Sequence, residues 1–386
     1  MCAVNAFATQ VVRGPYLQNP TQNSITLRWQ TNAAVPTWLE YGPAPRCNQI
    51  MTLTPAGYNH KAVLYGLVPN QDFCYHLYVS NPAQTGTEQP VDGHFRTLFS
   101  PERKVVTFLA LGSTATDPLA EGDNGSSARR SIAHLMAQEQ ADFVLHTGNI
   151  THSGLGTDLD EEFFSPFQRV LQNTPLFVAL GPNEYGPNRS SEESKSFLPT
   201  NYSRFYDMTW SAATPKYYYF DTANARFIVL DSNVANGAKW APEIGEESAQ
   251  TKWLKSTLST ATDKWKIVLM NAPAYSTGAS GANQEVADAW VKIFETYGVN
   301  LVIQGTDPNY ERTFPLRANQ THRRGVTYVT LGTAAWAPSK RVTSQDYTAR
   351  FVSARHYAVG KIVDRKLTFT VYSDTGKQLD KFEMYL

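Results

Sequence analysis

The chain carries few charges and no excess of either sign. Its 34 lysines and arginines are matched by 34 aspartates and glutamates, and charged residues make up only 18% of the 386. No long-range field is therefore available to gather a nucleic acid or an anionic membrane, and no nucleic-acid partner is expected. Long hydrophobic runs are also missing. A spanning helix needs about 18 consecutive apolar residues, whereas the best runs here are as short as Val105 to Leu111 and Phe227 to Leu230, so no membrane span is expected. The start, Met1 to Gln10, has neither a basic region nor a long apolar stretch and does not read as a signal peptide as it stands. The composition leans instead to Tyr, Thr, Asn, Ser and Trp, which suits an extracellular surface. A secreted, extracellular protein is the expectation.

Cysteine is scarce. Cys2, Cys47 and Cys74 permit one bridge and leave one thiol over. Cys47 with Cys74 is the favoured pair, against the reading of Cys74 as a buried thiol in the alternating stretch Phe73 to Val79. Cys2 is read as unpaired, as joined to another subunit, or as lipid-modified, with Met1 in front of it counting against the last. Sequons occur at Asn124, Asn149, Asn188, Asn201 and Asn319. In a eukaryotic secretory protein Asn124, Asn188, Asn201 and Asn319 would be the candidate glycan acceptors; in a bacterial one the pattern carries no meaning.

At this length one hydrophobic core is exceeded, so two domains are expected, one small and one large. From Val11 to Thr97 short alternating runs are punctuated by turn residues: Ser24 to Gln30, Thr37 to Tyr41, Lys61 to Leu64, Phe73 to Val79 and Gly93 to Thr97. Such spacing indicates an antiparallel β-sandwich. The stretch Leu67 to Tyr75 resembles the loop-to-strand corner of fibronectin type III domains, and Trp29 reads as a core residue.

After Ser100-Pro101-Glu102 strands alternate with helical segments, which points to a layered α/β arrangement. Strands are predicted at Val105 to Leu111, Asp142 to His146, Leu176 to Leu180, Tyr217 to Phe220, Phe227 to Leu230, Ile267 to Met270, Leu301 to Gln304, Val326 to Leu331, Tyr357 to Val363 and Leu367 to Tyr372. Helices are predicted at Ser127 to Gln138, Leu159 to Gln172, Glu247 to Leu258 and Gln284 to Tyr297. The division is thus an extension over 1–10, a β-sandwich over 11–98 and an α/β domain over 103–386.

In open α/β sheets, ligand groups sit on the loops at the carboxyl ends of strands. Here those loops read Leu111-Gly112-Ser113-Thr114-Ala115, His146-Thr147-Gly148-Asn149-Ile150-Thr151-His152, Gly181-Pro182-Asn183-Glu184-Tyr185, Met270-Asn271-Ala272-Pro273-Ala274-Tyr275 and Gly305-Thr306-Asp307-Pro308-Asn309-Tyr310. In order, spacing and flanks they resemble the metallophosphoesterase superfamily and, within it, the purple acid phosphatases. Arg13-Gly14-Pro15-Tyr16-Leu17-Gln18 matches the start of that family's sandwich domain. The resemblance implies a fibronectin type III-like β-sandwich followed by an αββα metallophosphoesterase sandwich, and a dinuclear Fe, Zn or Mn centre.

Carried over position by position, the ligand set is replaced. Ser113 stands where the first aspartate belongs and Asn149 where the bridging aspartate belongs. His152 replaces the tyrosine, and Pro182 and Asn183 replace the Asn-His pair. Asn271, Thr306 and Pro308 stand where three histidines belong. Hard or borderline cations need carboxylates, imidazoles or phenolates, and without them no water pKa is lowered and no phosphoryl group is clamped. Neither metal nor catalysis by the family route is expected, so catalytic and metal-ligating residues are read as none. His146, His152, Glu184 and Asp307 form the set for a minority alternative, a rebuilt single-zinc site. Ser113 lacks an assignable histidine and acid for nucleophilic work, and Asp231 reads as a structural turn acid. The expected function is a non-catalytic pseudo-phosphatase that uses the scaffold for extracellular binding or assembly, as a surface or filament subunit with a protein partner or with itself. The alternatives are a phosphoesterase with a rebuilt or residual site, and an old pocket that binds a phosphorylated or glycosylated ligand without cleaving it.

Overall fold

The computed structural model describes residues 9–80, 89–118, 124–197, 205 and 216–386. Cys2, most of the 1–10 extension and the sequon at Asn201 lie outside these residues. The chain splits into two compact units, 1–98 with 168–175 and 99–167 with 176–386.

In the first unit β1 (Val11–Gln18), β2 (Ser24–Pro43), β3 (Ile50–Tyr65), β4 (Asp72–Tyr78) and β5 (Val91–Arg96) join in one five-stranded antiparallel sheet. The two runs read as separate strands, Ser24 to Gln30 and Thr37 to Tyr41, are halves of the 20-residue β2, which passes from β1 to β4 across register irregularities between Gln30 and Thr37. The polar and small residues at this bulge interrupt the alternation, so no local pattern joins the two halves. Both halves feed one core: Leu17, Ile25, Leu27, Trp29, Leu39, Tyr41, Phe73, Tyr75, Leu77 and Phe95 are buried together. Trp29 stacks on His60 at 5.5 Å, in keeping with its reading as core. Cys47 and Cys74 form a disulfide across a separation of 27 residues, a closure worth about 3–4 kcal/mol in chain entropy.

The second unit holds two mixed sheets. In chain order its strands are β6 (Val105–Leu111), β7 (Phe143–His146), β8 (Leu176–Val178), β9 (Tyr218–Thr222), β10 (Ala225–Val229), β11 (Trp265–Leu269), β12 (Leu301–Gln304) and β13 (Tyr310–Thr313). They continue with the short pair β14 (Leu316–Arg317) and β15 (Gln320–Thr321), then β16 (Thr327–Leu331), β17 (Thr348–Val352), β18 (His356–Val363), β19 (Lys366–Ser373) and β20 (Gln378–Tyr385). One sheet runs β20-β19-β18-β6-β7-β8 and the other β17-β13-β16-β12-β11-β10-β9. The runs β6-β7-β8 and β10-β11-β12-β16 are parallel, so their carboxyl ends open on one side of each sheet.

Aromatic residues fix the two sheets face to face. Phe143 of β7 makes edge contacts with Phe220 of β9 at 5.3 Å and Phe227 of β10 at 5.0 Å, and Phe177 of β8 stacks on Phe220. Such burial contributes about 1.5–3 kcal/mol per ring. Among the described residues the longer helical segments are α1 (Ser126–Met136), α2 (156–171), α3 (Ala249–Ser259) and α4 (284–296). Ser248 caps α3 through the Thr251 N–H at 3.1 Å, and Asn283 caps α4 through the Val286 N–H at 3.1 Å. Leu254 and Leu258 of α3 and Trp290 and Phe294 of α4 bury against Ile228, Val268 and Val302 on the outer face of the second sheet.

Candidate functional site

Strand ends gather the predicted loops. Parallel pairing of β6, β7 and β8 places Ser113, Asn149 and Pro182-Asn183-Glu184 after adjacent strand ends, and pairing of β11 with β12 does the same for Asn271 and Thr306. Cross-sheet hydrogen bonds then close the group. Asn271 Nδ2 donates to the Thr147 carbonyl at 2.7 Å, and Thr147 Oγ1 donates to the Leu331 carbonyl at 3.2 Å. The Ala334 N–H donates to the Ser113 carbonyl at 3.0 Å. The loop after β16 is thus part of the site, although the sequence reading did not include it. Its available signal was Gly332, where a Cβ would run into the Asp307 carbonyl.

Three of the residues on these loops hold left-handed backbone: Ser113 at φ 25°, Asn149 at φ 56° and Thr306 at φ 63°. For β-branched Thr306 this is a strained conformation costing on the order of 1–3 kcal/mol. It persists because the surroundings fix it. Thr306 Oγ1 donates to Asn271 Oδ1 at 2.6 Å, and the Gly305 N–H donates to the Asn271 carbonyl at 2.8 Å.

The remaining positions are stitched the same way. Asn149 Oδ1 accepts from the Asn183 N–H at 3.2 Å, and Asn183 Nδ2 donates to the Thr151 carbonyl at 2.9 Å. Glu184 is fully buried and accepts N–H bonds from Asn149, Ile150 and Gly181 at 2.9, 2.9 and 2.6 Å. Burial pushes its carboxyl up to about 7 while those N–H groups pull it back. Pro182 opens a short 3₁₀ turn, where its missing N–H costs nothing. The Pro308 carbonyl accepts from the Ser339 N–H at 2.8 Å.

The four candidates for a rebuilt metal site are not brought to one point. His146 is fully buried, lies 3.3 Å from Thr114 Oγ1, and accepts the Gly148 N–H through Nδ1 at 3.0 Å; burial holds it near 3 and so neutral. His152 turns to Glu162 at 2.7 Å. Glu184 serves the backbone as above. Asp307 accepts from Ser276 Oγ at 2.5 Å and Ser339 Oγ at 3.2 Å. Among the described residues no group of three or more His, Cys, Asp or Glu side chains is placed to hold a metal ion. Asp231 is more than a turn acid: besides the Asn233 N–H at 3.0 Å, it accepts from the Tyr185 hydroxyl and so joins the loop after β10 to the loop after β8.

As a donor set these residues do not fit a dinuclear centre. Ser113, Asn149, Asn271 and Thr306 offer neutral oxygens, and the amide oxygens of Asn149 and Asn271 already accept hydrogen bonds. The imidazole of His152 faces a carboxylate that also accepts its own backbone N–H at 2.9 Å.

Residues 121–306 match the family described as calcineurin-like phosphoesterase. The chain is 27% identical over 285 residues to an uncharacterized protein of Mycobacterium tuberculosis, covering 67% of this chain and 51% of that one. It is 24% identical over 199 residues to mouse tartrate-resistant acid phosphatase type 5, covering 47% of this chain and 59% of the relative. It therefore spans little more than half the length of these curated relatives. The solved purple acid phosphatase from yellow lupin seeds superposes with a TM-score of 0.78 at 17% identity, over 99% of this chain and 75% of that chain. Loop order, sequence match and fold alike make the chain similar to calcineurin-like phosphoesterases and to purple acid phosphatases.

Proposed function

We propose that this chain is a non-catalytic pseudo-phosphatase, secreted, whose scaffold serves extracellular binding or structural assembly, with a fibronectin type III-like module ahead of the α/β domain. One observation carries the reading: the loops that would hold the metals are tied to each other by Asn271, Thr306, Thr147, Asn149 and Asn183. A dinuclear site needs carboxylates and imidazoles pointing at a shared cation. A net of amides and hydroxyls bonded to one another performs the joining role that metal bridges would otherwise have, and leaves no activated water. Asn124, Asn188 and Asn319 are proposed as glycan acceptors if the host glycosylates, and Cys2 as an intermolecular cysteine.

The competing reading, a phosphoesterase with a rebuilt or residual site, draws on the likeness to a protein named as an acid phosphatase. Turnover of p-nitrophenyl phosphate decides between them. Purified protein should hydrolyse it no faster than buffer across acidic and neutral pH, with iron, zinc or manganese supplied. Metal-dependent turnover that chelator abolishes would overturn the proposal.

A further inference from the structure

A second recess lies in the α/β unit, away from the strand-end loops. It encloses about 870 Å³ and is bordered by Val299-Asn300 before β12, Arg312-Thr313 at the end of β13, Arg323-Arg324 before β16, Arg365 in the turn from β18 to β19, and Phe382 to Leu386 at the end of β20. Asn300 precedes the first residue of β12, whereas Thr306 follows its last, so this cavity and the stitched loops stand at opposite ends of the same strand.

The wall is basic in a chain that is otherwise balanced. Four arginines face one acidic side chain, Glu383. Two of these groups are already satisfied: Arg312 is paired with Asp380 at 2.7 Å and lies 4.7 Å over the Phe382 ring, and Glu383 is paired with Lys366 at 2.7 Å. Arg323, Arg324 and Arg365 have no side-chain carboxylate partner among the described residues; Arg365 donates only to the main-chain oxygen of Leu386. Because the chain as a whole has a formal net charge of zero, the guanidinium groups of Arg323 and Arg324, beside an Arg365 that donates to Leu386, are not a by-product of a basic composition. Beside them are Pro315, Met384 and Tyr385, the last 69% exposed with its hydroxyl donating to Glu383 at 3.0 Å and Lys366 Nζ 6.0 Å from its ring centre. Guanidinium forks match the tetrahedral oxyanions of phosphate and sulfate, and an exposed aromatic face suits a sugar ring.

We propose that this cavity binds a sugar bearing phosphate or sulfate groups, with Arg323, Arg324 and Arg365 taking the anionic groups and Tyr385 taking the ring. The site is independent of the strand-end loops and stands whether or not those loops are catalytic. A bulky saccharide needs an open recess that tolerates exposed guanidinium groups, and the polar groups lost from water on binding are replaced by charge-assisted bonds.

Isothermal titration of the whole protein tests this with three probes: glucose 1,6-bisphosphate for the phosphate source, sucrose octasulfate for the sulfate source, and sucrose as the uncharged control. At least one charged probe should bind with a micromolar Kd that weakens as salt is raised, and sucrose should give no heat. Arg323→Ala with Arg324→Ala, both on the exposed surface, should weaken binding by about tenfold or more, and Tyr385→Ala should weaken it further. Unchanged far-ultraviolet circular dichroism would show that the variants fold. No binding by either charged probe below millimolar concentration, or binding that the double variant leaves intact, would overturn the proposal. Binding lost with Asn271→Ala but kept in the double variant would overturn it too, since the ligand would then sit at the strand-end loops.

Discussion

The strands of the α/β unit and the loops at their carboxyl ends follow different rules. In the strands, side chain and backbone agree: β-branched and aromatic residues sit in extended backbone and bury against Phe143, Phe220 and Phe227. In the loops they disagree. Ser113, Asn149 and Thr306 hold left-handed backbone, which β-branched Thr306 in particular disfavours, and the side chains of Asn149 and Thr306 bond to the Asn183 N–H and the Asn271 amide. The sheets beneath set where these loops lie, and the bonds between loop side chains add to that hold.

If the sheets hold the frame, the largest loss should come from the sheet interface. Phe143→Ala should cost about 3–5 kcal/mol in urea unfolding, and a cost below 1 kcal/mol would break the comparison. Asn271→Ala removes the link from the loop after β11 to Thr147 and Thr306 and leaves buried groups unpaired, at about 1–3 kcal/mol; the secondary structure seen by circular dichroism should persist.

Acid should weaken the same region. Burial holds His146 near 3, so the folded chain keeps it neutral while the unfolded chain protonates it near its ordinary value. Its stabilising share is complete above pH 6.5 and is lost as pH falls toward 3. His356, held near 4 by burial, acts in the same direction, and Glu184, raised to about 7, acts in the opposite one between its ordinary value and 7. Comparison with His146→Gln isolates the first: from pH 7 to pH 5 the natural chain should lose about 2 kcal/mol more than the variant, and equal losses would contradict this. The smallest expected effect is at Thr306→Asn, which relieves the left-handed strain of a β-branched residue but gives up the hydroxyl bond to Asn271; stability should change by less than about 1 kcal/mol in the same unfolding assay.

Much of this was legible in the sequence. Strands such as Val105–Leu111 and Leu301–Gln304 stand where apolar runs bounded by turn residues put them, and each loop after them falls in the expected order. The interior strand β13 and the edge strands β17 and β20 were missed because their mixed polar faces give no continuous apolar run. The 20-residue β2 was cut in two at its bulge. At the site, the residue types on each loop were legible, but their partners could not be read. Asn271 meets Thr147 across a separation of 124 residues, and Thr147 meets the main chain of β16 across 184. Such pairings depend on two sheets facing each other, which no local pattern encodes. The basic recess at the other end of β12 was hidden for the same reason, since its arginines come from turns far apart in the chain.

Metal content is the most direct test of the central claim. Protein purified from its native source, without chelator, should contain well under one equivalent of iron, zinc and manganese together by inductively coupled plasma mass spectrometry. About two equivalents of tightly held transition metal per chain, as a dinuclear centre requires, would contradict the account.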